Sequence, residues 1–116
     1  MKLLLMIALA GLLNFQAKAQ NQPLSAVPDP AKKILKVEAT CGECQFHMKG
    51  HGCELAVRLN GKEYYVDGTT LDDYGDAHGE GGFCEAIRKA EVQGEIVNNR
   101  FKATYFKLKP YKTEKQ

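Results

Sequence analysis

The segment CGECQFHMKGHGC, residues 41–53, concentrates the side chains of this chain that can bind a metal ion. Two thiolates three residues apart, with Cys or His donors a short loop away, are a common ligand set for tetrahedral zinc. Met48 adds a thioether, a ligand that matters mainly for Cu(I). The segment therefore predicts a Zn or Cu site, to which a later cysteine and histidine could contribute. The candidate ligands are Cys41, Cys44, Cys53, Cys84, His47, His51 and His78.

The N-terminus has the pattern of a secretory signal peptide over residues 1–19. Lys2 precedes an apolar run from Leu3 to Leu13, and Ala-Lys-Ala at 17–19 fits a cleavage site. The run is about half of the roughly 20 residues that a membrane span needs. We therefore expect an exported protein, periplasmic or secreted, with no membrane span after cleavage.

Removal of residues 1–19 makes the chain formally neutral. Two lysines leave and no acidic residue does, so 16 − 2 = 14 basic residues face 14 acidic residues. Nucleic-acid binding proteins rely on a basic surplus to neutralise phosphates. The composition therefore argues against a nucleic-acid partner.

The same cysteines also fit two disulfide bonds. An even number of cysteines in a short exported chain favours disulfides, and four cysteines allow three connectivities. In one pairing, Cys41–Cys44 closes the loop and Cys53–Cys84 ties a hairpin to a helix. Each bond would stabilise the fold by roughly 2–4 kcal/mol, mainly through the entropy of the unfolded chain. The metal and disulfide hypotheses both remain open at this point.

A thiol redox protein is a more distant alternative. A Cys-x-x-Cys pair and a helix N-terminus both favour a reactive thiolate. Here, however, the pair does not open a helix inside a β-α-β unit, and Glu43 places a carboxylate between the two thiols. A phosphate-binding glycine loop and a serine-centred nucleophile motif are absent as well. The sequence does not favour an enzyme.

The remaining chain divides into a linker, one domain and a tail. Residues 20–33 are rich in proline and predict an extended linker. Residues 34–110 predict the domain, and residues 111–116 a short tail. Residues 68–82 form an acidic, glycine-rich loop, in which Asp76 and His78 are candidates for metal binding but also fit ordinary turn capping.

Within the domain, two hairpins and one helix are predicted. Asn60-Gly61 is a strong two-residue turn signal within residues 53–67, and it pairs Arg58 with Glu63. Asn98-Asn99 is the turn of a second hairpin at 91–109. That turn pairs Ile96 with Phe101 and Val92 with Tyr105. A strand at 34–40 precedes the hairpins, and a helix is predicted at 83–90.

The element order is strand, long loop, hairpin, loop, helix, hairpin. This β-β-β-α-β-β order is that of the OB-fold, a five-stranded, partly open barrel. The fold class is therefore mainly β with one short helix. A small two-layer α+β sheet is the alternative.

From Val37 to Pro110 the chain resembles a family of small exported bacterial proteins of unknown function. The matching stretches are CGECQF, MKGHGCELAVRLNGK, VDGTTLDD, GDAH, GFCEAIRKAEVQGE and FKATYFKL. The resemblance implies glycine as the common residue at position 47, so it does not support His47 as an essential ligand. It implies an exported domain and no particular activity.

Two functional hypotheses follow from these observations. The first is an exported module whose cysteine-rich loop, with Cys84 and His78, binds Zn or Cu. The second is a disulfide-stapled OB-like domain that binds a protein or a small ligand without a metal.

Overall fold

The computed structural model describes residues 24–50 and 52–112, so the predicted signal peptide and His51 lie outside the described residues. A four-residue helix, α1 (Gly42–Gln45), follows the first strand, and a 3-10 turn (Leu71–Tyr74) lies between the third and fourth strands. The strands are β1 (Leu35–Cys41), β2 (Leu55–Leu59), β3 (Lys62–Asp67), β4 (Arg88–Val97) and β5 (Arg100–Leu108).

The first hairpin has the predicted register. Asn60 and Gly61 both adopt positive φ, 52° and 81°, as a tight hairpin turn requires. Arg58 consequently faces Glu63, and their side chains form an ion pair of 3.0 Å. Leu55, Val57 and Val66 are buried on the barrel side, as their alternation predicts. Local turn chemistry and hydrophobic alternation therefore agree in this hairpin.

The second hairpin departs from its predicted register beyond a β-bulge. Ile96 faces Phe101 as predicted, but Val92 faces Phe106, so the predicted partner Tyr105 is wrong by one residue. The shift occurs between Gln93 and Gly94. A Cβ atom at Gly94 would collide with the carbonyl oxygen of Lys102. The glycine permits this close approach of the two strands and thereby the bulge.

The five strands close into a barrel in the order β1-β2-β3-β5-β4. β1 pairs antiparallel with both β2 and β4, and β3 pairs parallel with β5 through Val66–Phe101 and Asp67–Lys102. This topology confirms the mainly β, OB-like barrel. The barrel is closed rather than partly open, because β4 completes a ladder with β1 from Leu35 to Ala39.

The prediction of a helix at 83–90 was wrong in the position of that helix. Arg88 already pairs with Ala39 as the first residue of β4, so its backbone groups serve the sheet. Before it, residues 83–85 form a turn in which the backbone N–H groups of Glu85 and Ala86 donate to the carbonyl of Gly82. Ile87, within the predicted helix, is 41% exposed. The element between β3 and β4 is instead the 3-10 turn.

The barrel interior is filled by apolar side chains from every strand. Phe101 is its largest fully buried residue, at 0% exposure. The other members of this core are Val37, Ala39, Cys41, Leu55, Val57, Val66, Leu71, Phe83, Cys84, Ala90, Val92, Ala103 and Phe106. Two of the four cysteines thus belong to the core itself.

The N-terminal segment that precedes β1 contacts the barrel at Gln93. The Gln93 side chain accepts a hydrogen bond from the Asp29 backbone N–H at 2.8 Å. It donates to the carbonyls of Asp29 and Lys32 at 2.9 and 3.0 Å. Gln93 is only 1% exposed, so these hydrogen bonds satisfy a buried side-chain amide. Within residues 24–50 and 52–112, no helix has the length and apolar character to cross a membrane.

Candidate metal centre

Four separate elements bring the four cysteines to one end of the barrel. Cys41 is the last residue of β1, and Cys44 lies in α1. Cys53 lies two residues before β2, and Cys84 lies in the turn before β4. All four sulfur atoms lie within 4.8 Å of one another. Among the described residues, these thiols form the one group of three or more Cys, His, Asp or Glu side chains close enough to share an ion.

Cys53 lies at the centre of the four sulfurs. It forms a disulfide bond with Cys41, whose Cα atom is 5.7 Å away. Its sulfur also lies 3.3 Å from that of Cys44 and 3.1 Å from that of Cys84. The pairing Cys41–Cys44 with Cys53–Cys84 was therefore wrong for this structure. The reason is the sheet: antiparallel pairing of β1 with β2 puts Cys41 opposite Leu55 and so close to Cys53.

Hydrogen bonds to three elements fix the turn that carries Cys84. The Cys84 backbone N–H donates to the carbonyl of Ala77 at 2.9 Å, and the Gln45 amide donates to the Cys84 carbonyl at 3.0 Å. The Cys41 N–H donates to the carbonyl of Phe83 at 3.0 Å. α1 and the loop that contains Ala77 are therefore bonded to Cys84 itself, and the end of β1 is bonded to Phe83, the residue before it.

Thr40 is a buried anchor of the same turn. Its hydroxyl oxygen lies 2.7 Å from the carbonyl oxygens of both Phe83 and Ala86, and the residue is 0% exposed. One hydroxyl can donate to one of these carbonyls at a time. In the strand predicted at 34–40, apolar and polar residues alternate and Thr40 falls among the polar ones, so the pattern alone does not indicate this buried role.

Replacement of Thr40 by valine is expected to destabilise the protein by about 1–3 kcal/mol. Valine keeps the shape of threonine but removes the buried hydroxyl that donates to the carbonyl of Phe83 or of Ala86. The free energy of unfolding in urea measures the effect. Thr104→Val is the matched control, because that hydroxyl donates to the Gln93 carbonyl in a partly buried position on β5 at a longer 3.2 Å. Equal stability of Thr40→Val and the unmodified protein would contradict the anchoring role.

The chain between Cys41 and Cys53 is held close by Glu43 and Gly42. One Glu43 carboxylate oxygen accepts from the Glu54 backbone N–H at 2.9 Å. Burial, followed by the charge of Glu43, raises the pKa of Tyr65, whose hydroxyl donates to the Lys49 carbonyl. A Cβ atom at Gly42 would lie 2.7 Å from the Tyr65 ring, so glycine is needed there. These contacts hold α1 against β3 and keep Cys44 beside the other sulfurs.

Two of the four cysteines are buried residues and two are exposed residues. Cys41 is 0% exposed and Cys84 is 9% exposed, whereas Cys44 and Cys53 are exposed residues. Burial raises the pKa of the Cys84 thiol, and the neighbouring Cys44 raises it further. Four thiolates in this space repel one another unless a cation neutralises them. A divalent soft metal ion would supply that charge and displace the thiol protons.

The two histidines that the structure describes, His47 and His78, are not members of the four-sulfur group. His78 lines a cleft of about 370 Å³ together with Cys53, Cys84 and two aspartates of the acidic loop, Asp72 and Asp76. The Asp76 carboxylate accepts from the His78 backbone N–H at 2.9 Å. His47 is exposed and has φ of 57°, a conformation that glycine adopts more readily. The structure thus brings together the cysteines, with His78 beside them on the cleft.

A family model matches residues 35–109, which include β1 to β5 and all four cysteines. The chain belongs to DUF6370, a family of unknown function. No curated protein and no solved structure matches the chain. Membership of DUF6370 agrees with the resemblance to a family without a known activity. The four-sulfur cluster of this DUF6370 protein, formed by Cys41, Cys44, Cys53 and Cys84, is the feature whose chemistry points to a function.

Proposed function

We propose that this DUF6370 protein binds one Zn²⁺ ion through the thiolates of its four cysteines. The observation that supports this proposal is the meeting of four sulfurs, from four elements, within 4.8 Å. A tetrahedral set of four thiolates is characteristic of structural zinc sites, which have no open position for a substrate. The protein would therefore act as a metal-binding module rather than as a metalloenzyme.

The ligand set favours zinc over copper as the resident ion. Zn²⁺ has no geometric preference of its own and is stable with four thiolates. Cu(I) also binds thiolates and thioethers, so it is the natural competitor. The signal peptide predicted at residues 1–19 places the proposed function in an exported compartment, periplasmic or extracellular.

The disulfide bond between Cys41 and Cys53 supports a second candidate function. With this bond formed, two thiols remain, Cys44 and Cys84. The protein would then be a stapled OB-like domain whose role is to bind a protein or a small ligand. The metal-bound and disulfide-bonded forms exclude each other, since both need the sulfurs of Cys41 and Cys53.

Metal titration of the reduced protein tests the proposal. We expect one Zn²⁺ per chain to remain bound after gel filtration, with four thiols protected from alkylation. Substitution of Co²⁺ for Zn²⁺ should give the absorption bands of tetrahedral thiolate coordination. A reduced protein that retains no zinc and whose four thiols alkylate equally with and without the ion would contradict the metal-binding function. Stoichiometric Cu(I) binding in competition with Zn²⁺ would reject zinc as the resident ion.

A further inference from the structure

The arrangement of the four sulfurs makes Cys53 the sulfur through which the cluster can be oxidised. Its sulfur is bonded to Cys41 and lies 3.3 and 3.1 Å from Cys44 and Cys84. Each neighbour is therefore a potential partner for a disulfide with Cys53. Formation of any such bond removes two thiolates from a four-thiolate metal site.

Exposure assigns different roles to the two sulfurs of the observed disulfide. Cys53 is exposed and lines the cleft, so a dissolved molecule can reach it. Cys41 is 0% exposed in the barrel core, so it can react only with its neighbours. In thiol–disulfide exchange, an accessible thiolate attacks first and a second thiolate then resolves the mixed disulfide. Cys53 has the position of the attacking thiolate and Cys41 that of the resolving thiolate.

The cleft beside Cys53 indicates the kind of disulfide that would react. Its volume of about 370 Å³ lies within the range of about 300–1,000 Å³ for small-molecule sites. The carboxylates of Asp72 and Asp76 line it. The negative charges favour a cationic disulfide over an anionic one.

We propose that the four-sulfur cluster reacts with small cationic disulfides at Cys53 and thereby releases its metal ion. The Cys53 thiolate attacks the disulfide RS–SR, giving a Cys53–S–SR mixed disulfide and one RS⁻. The Cys41 thiolate then attacks the sulfur of Cys53, forming the Cys41–Cys53 bond and releasing the second RS⁻. The two cysteines lose two electrons and RS–SR gains them. The charge of the metal ion is unchanged, and only the two thiolates of Cys44 and Cys84 remain as ligands, too few to retain the ion.

The coupling to metal release rests on the proposed zinc function, whereas the exchange step does not. The first experiment therefore uses reduced, metal-free protein, with cystamine as the cationic disulfide. Differential alkylation and mass spectrometry follow the loss of the Cys41 thiol with time. We expect the unmodified protein and the Thr104→Val variant, whose change lies on β5 outside the cleft, to form the Cys41–Cys53 bond at similar rates. In Cys53→Ser, oxidation of Cys41 should be at least 10-fold slower.

Two results would overturn the exchange proposal. They are equal rates of Cys41 oxidation in Cys53→Ser and the unmodified protein, and a faster reaction with oxidised glutathione, which is anionic, than with cystamine. Circular dichroism of each variant shows whether it has folded. If Cys53→Ser is unfolded, the order of modification in the unmodified protein decides, because a first adduct on a cysteine other than Cys53 also contradicts the mechanism.

The second experiment uses the zinc-loaded protein. Cystamine should release one Zn²⁺ per chain, detected by a chromogenic chelator, for each Cys41–Cys53 bond formed. Retention of zinc after that bond has formed would overturn the coupling while leaving zinc binding intact. A protein that never loads zinc would instead contradict the proposed function, and the metal-free exchange rates would still test the role of Cys53.

Discussion

The Cys84→Ser substitution is expected to lower the affinity of the reduced protein for Zn²⁺ by more than about 100-fold. Loss of a group that only orients a ligand typically costs about 10–100-fold in metal affinity, and loss of a ligand should cost more. Serine keeps the size of the side chain but supplies a poor ligand. Competition with a chelator of known affinity, followed by absorbance, measures the change. The turn that carries residue 84 is held by backbone and Gln45 hydrogen bonds that do not involve its sulfur.

His78→Ala is the matched control for this prediction. His78 lines the same cleft as Cys84, yet its side chain is not one of the four groups that meet within 4.8 Å. We expect the affinity of the His78→Ala variant for Zn²⁺ to stay within about 3-fold of that of the unmodified protein, a change well below the effect of losing a ligand. Equal affinities of Cys84→Ser and the unmodified protein would remove Cys84 from the ligand set. A loss in His78→Ala as large as that in Cys84→Ser would make the histidine a ligand.

Phe101→Ala is expected to destabilise the barrel by about 3–5 kcal/mol, the usual cost of deleting a buried aromatic side chain. Phe101 is the largest fully buried residue and lies where β5 contacts both β3 and β4, opposite Val66 and Ile96. Since small domains are stable by about 5–15 kcal/mol, this one change would remove much of the stability. Chemical denaturation, monitored by circular dichroism, measures it.

Ile96→Ala provides the control, because Ile96 is the β4 partner of Phe101 but is 42% exposed. Its loss removes less buried area and leaves no enclosed cavity, so we expect a destabilisation of no more than about 1 kcal/mol. Similar losses for the two variants would show that Phe101 is not the centre of the core. A decrease of less than about 1 kcal/mol in the free energy of unfolding of Phe101→Ala would lead to the same conclusion.

The sequence by itself determined the two hairpins and the order of the strands. Asn60-Gly61 and Asn98-Asn99 adopt positive φ as their residue types favour, and they set the registers next to each turn. These interactions join residues close in the chain, so local rules suffice. The residues of the site were also visible, because cysteine spacing is a property of the sequence alone.

The tertiary structure decided the bulge, the position of the helix and the grouping of the sulfurs. The bulge at Gly94 depends on how closely Lys102 approaches, and strand pairing of Arg88 with Ala39 overrides the helical pattern at 83–90. Cys41 and Cys84 are 43 residues apart in the numbering and meet only because β1 pairs with both β2 and β4. Such long-range contacts depend on the closure of the barrel, which no local pattern encodes. The central position of the Cys53 sulfur likewise follows from the register between β1 and β2, which puts Cys41 opposite Leu55.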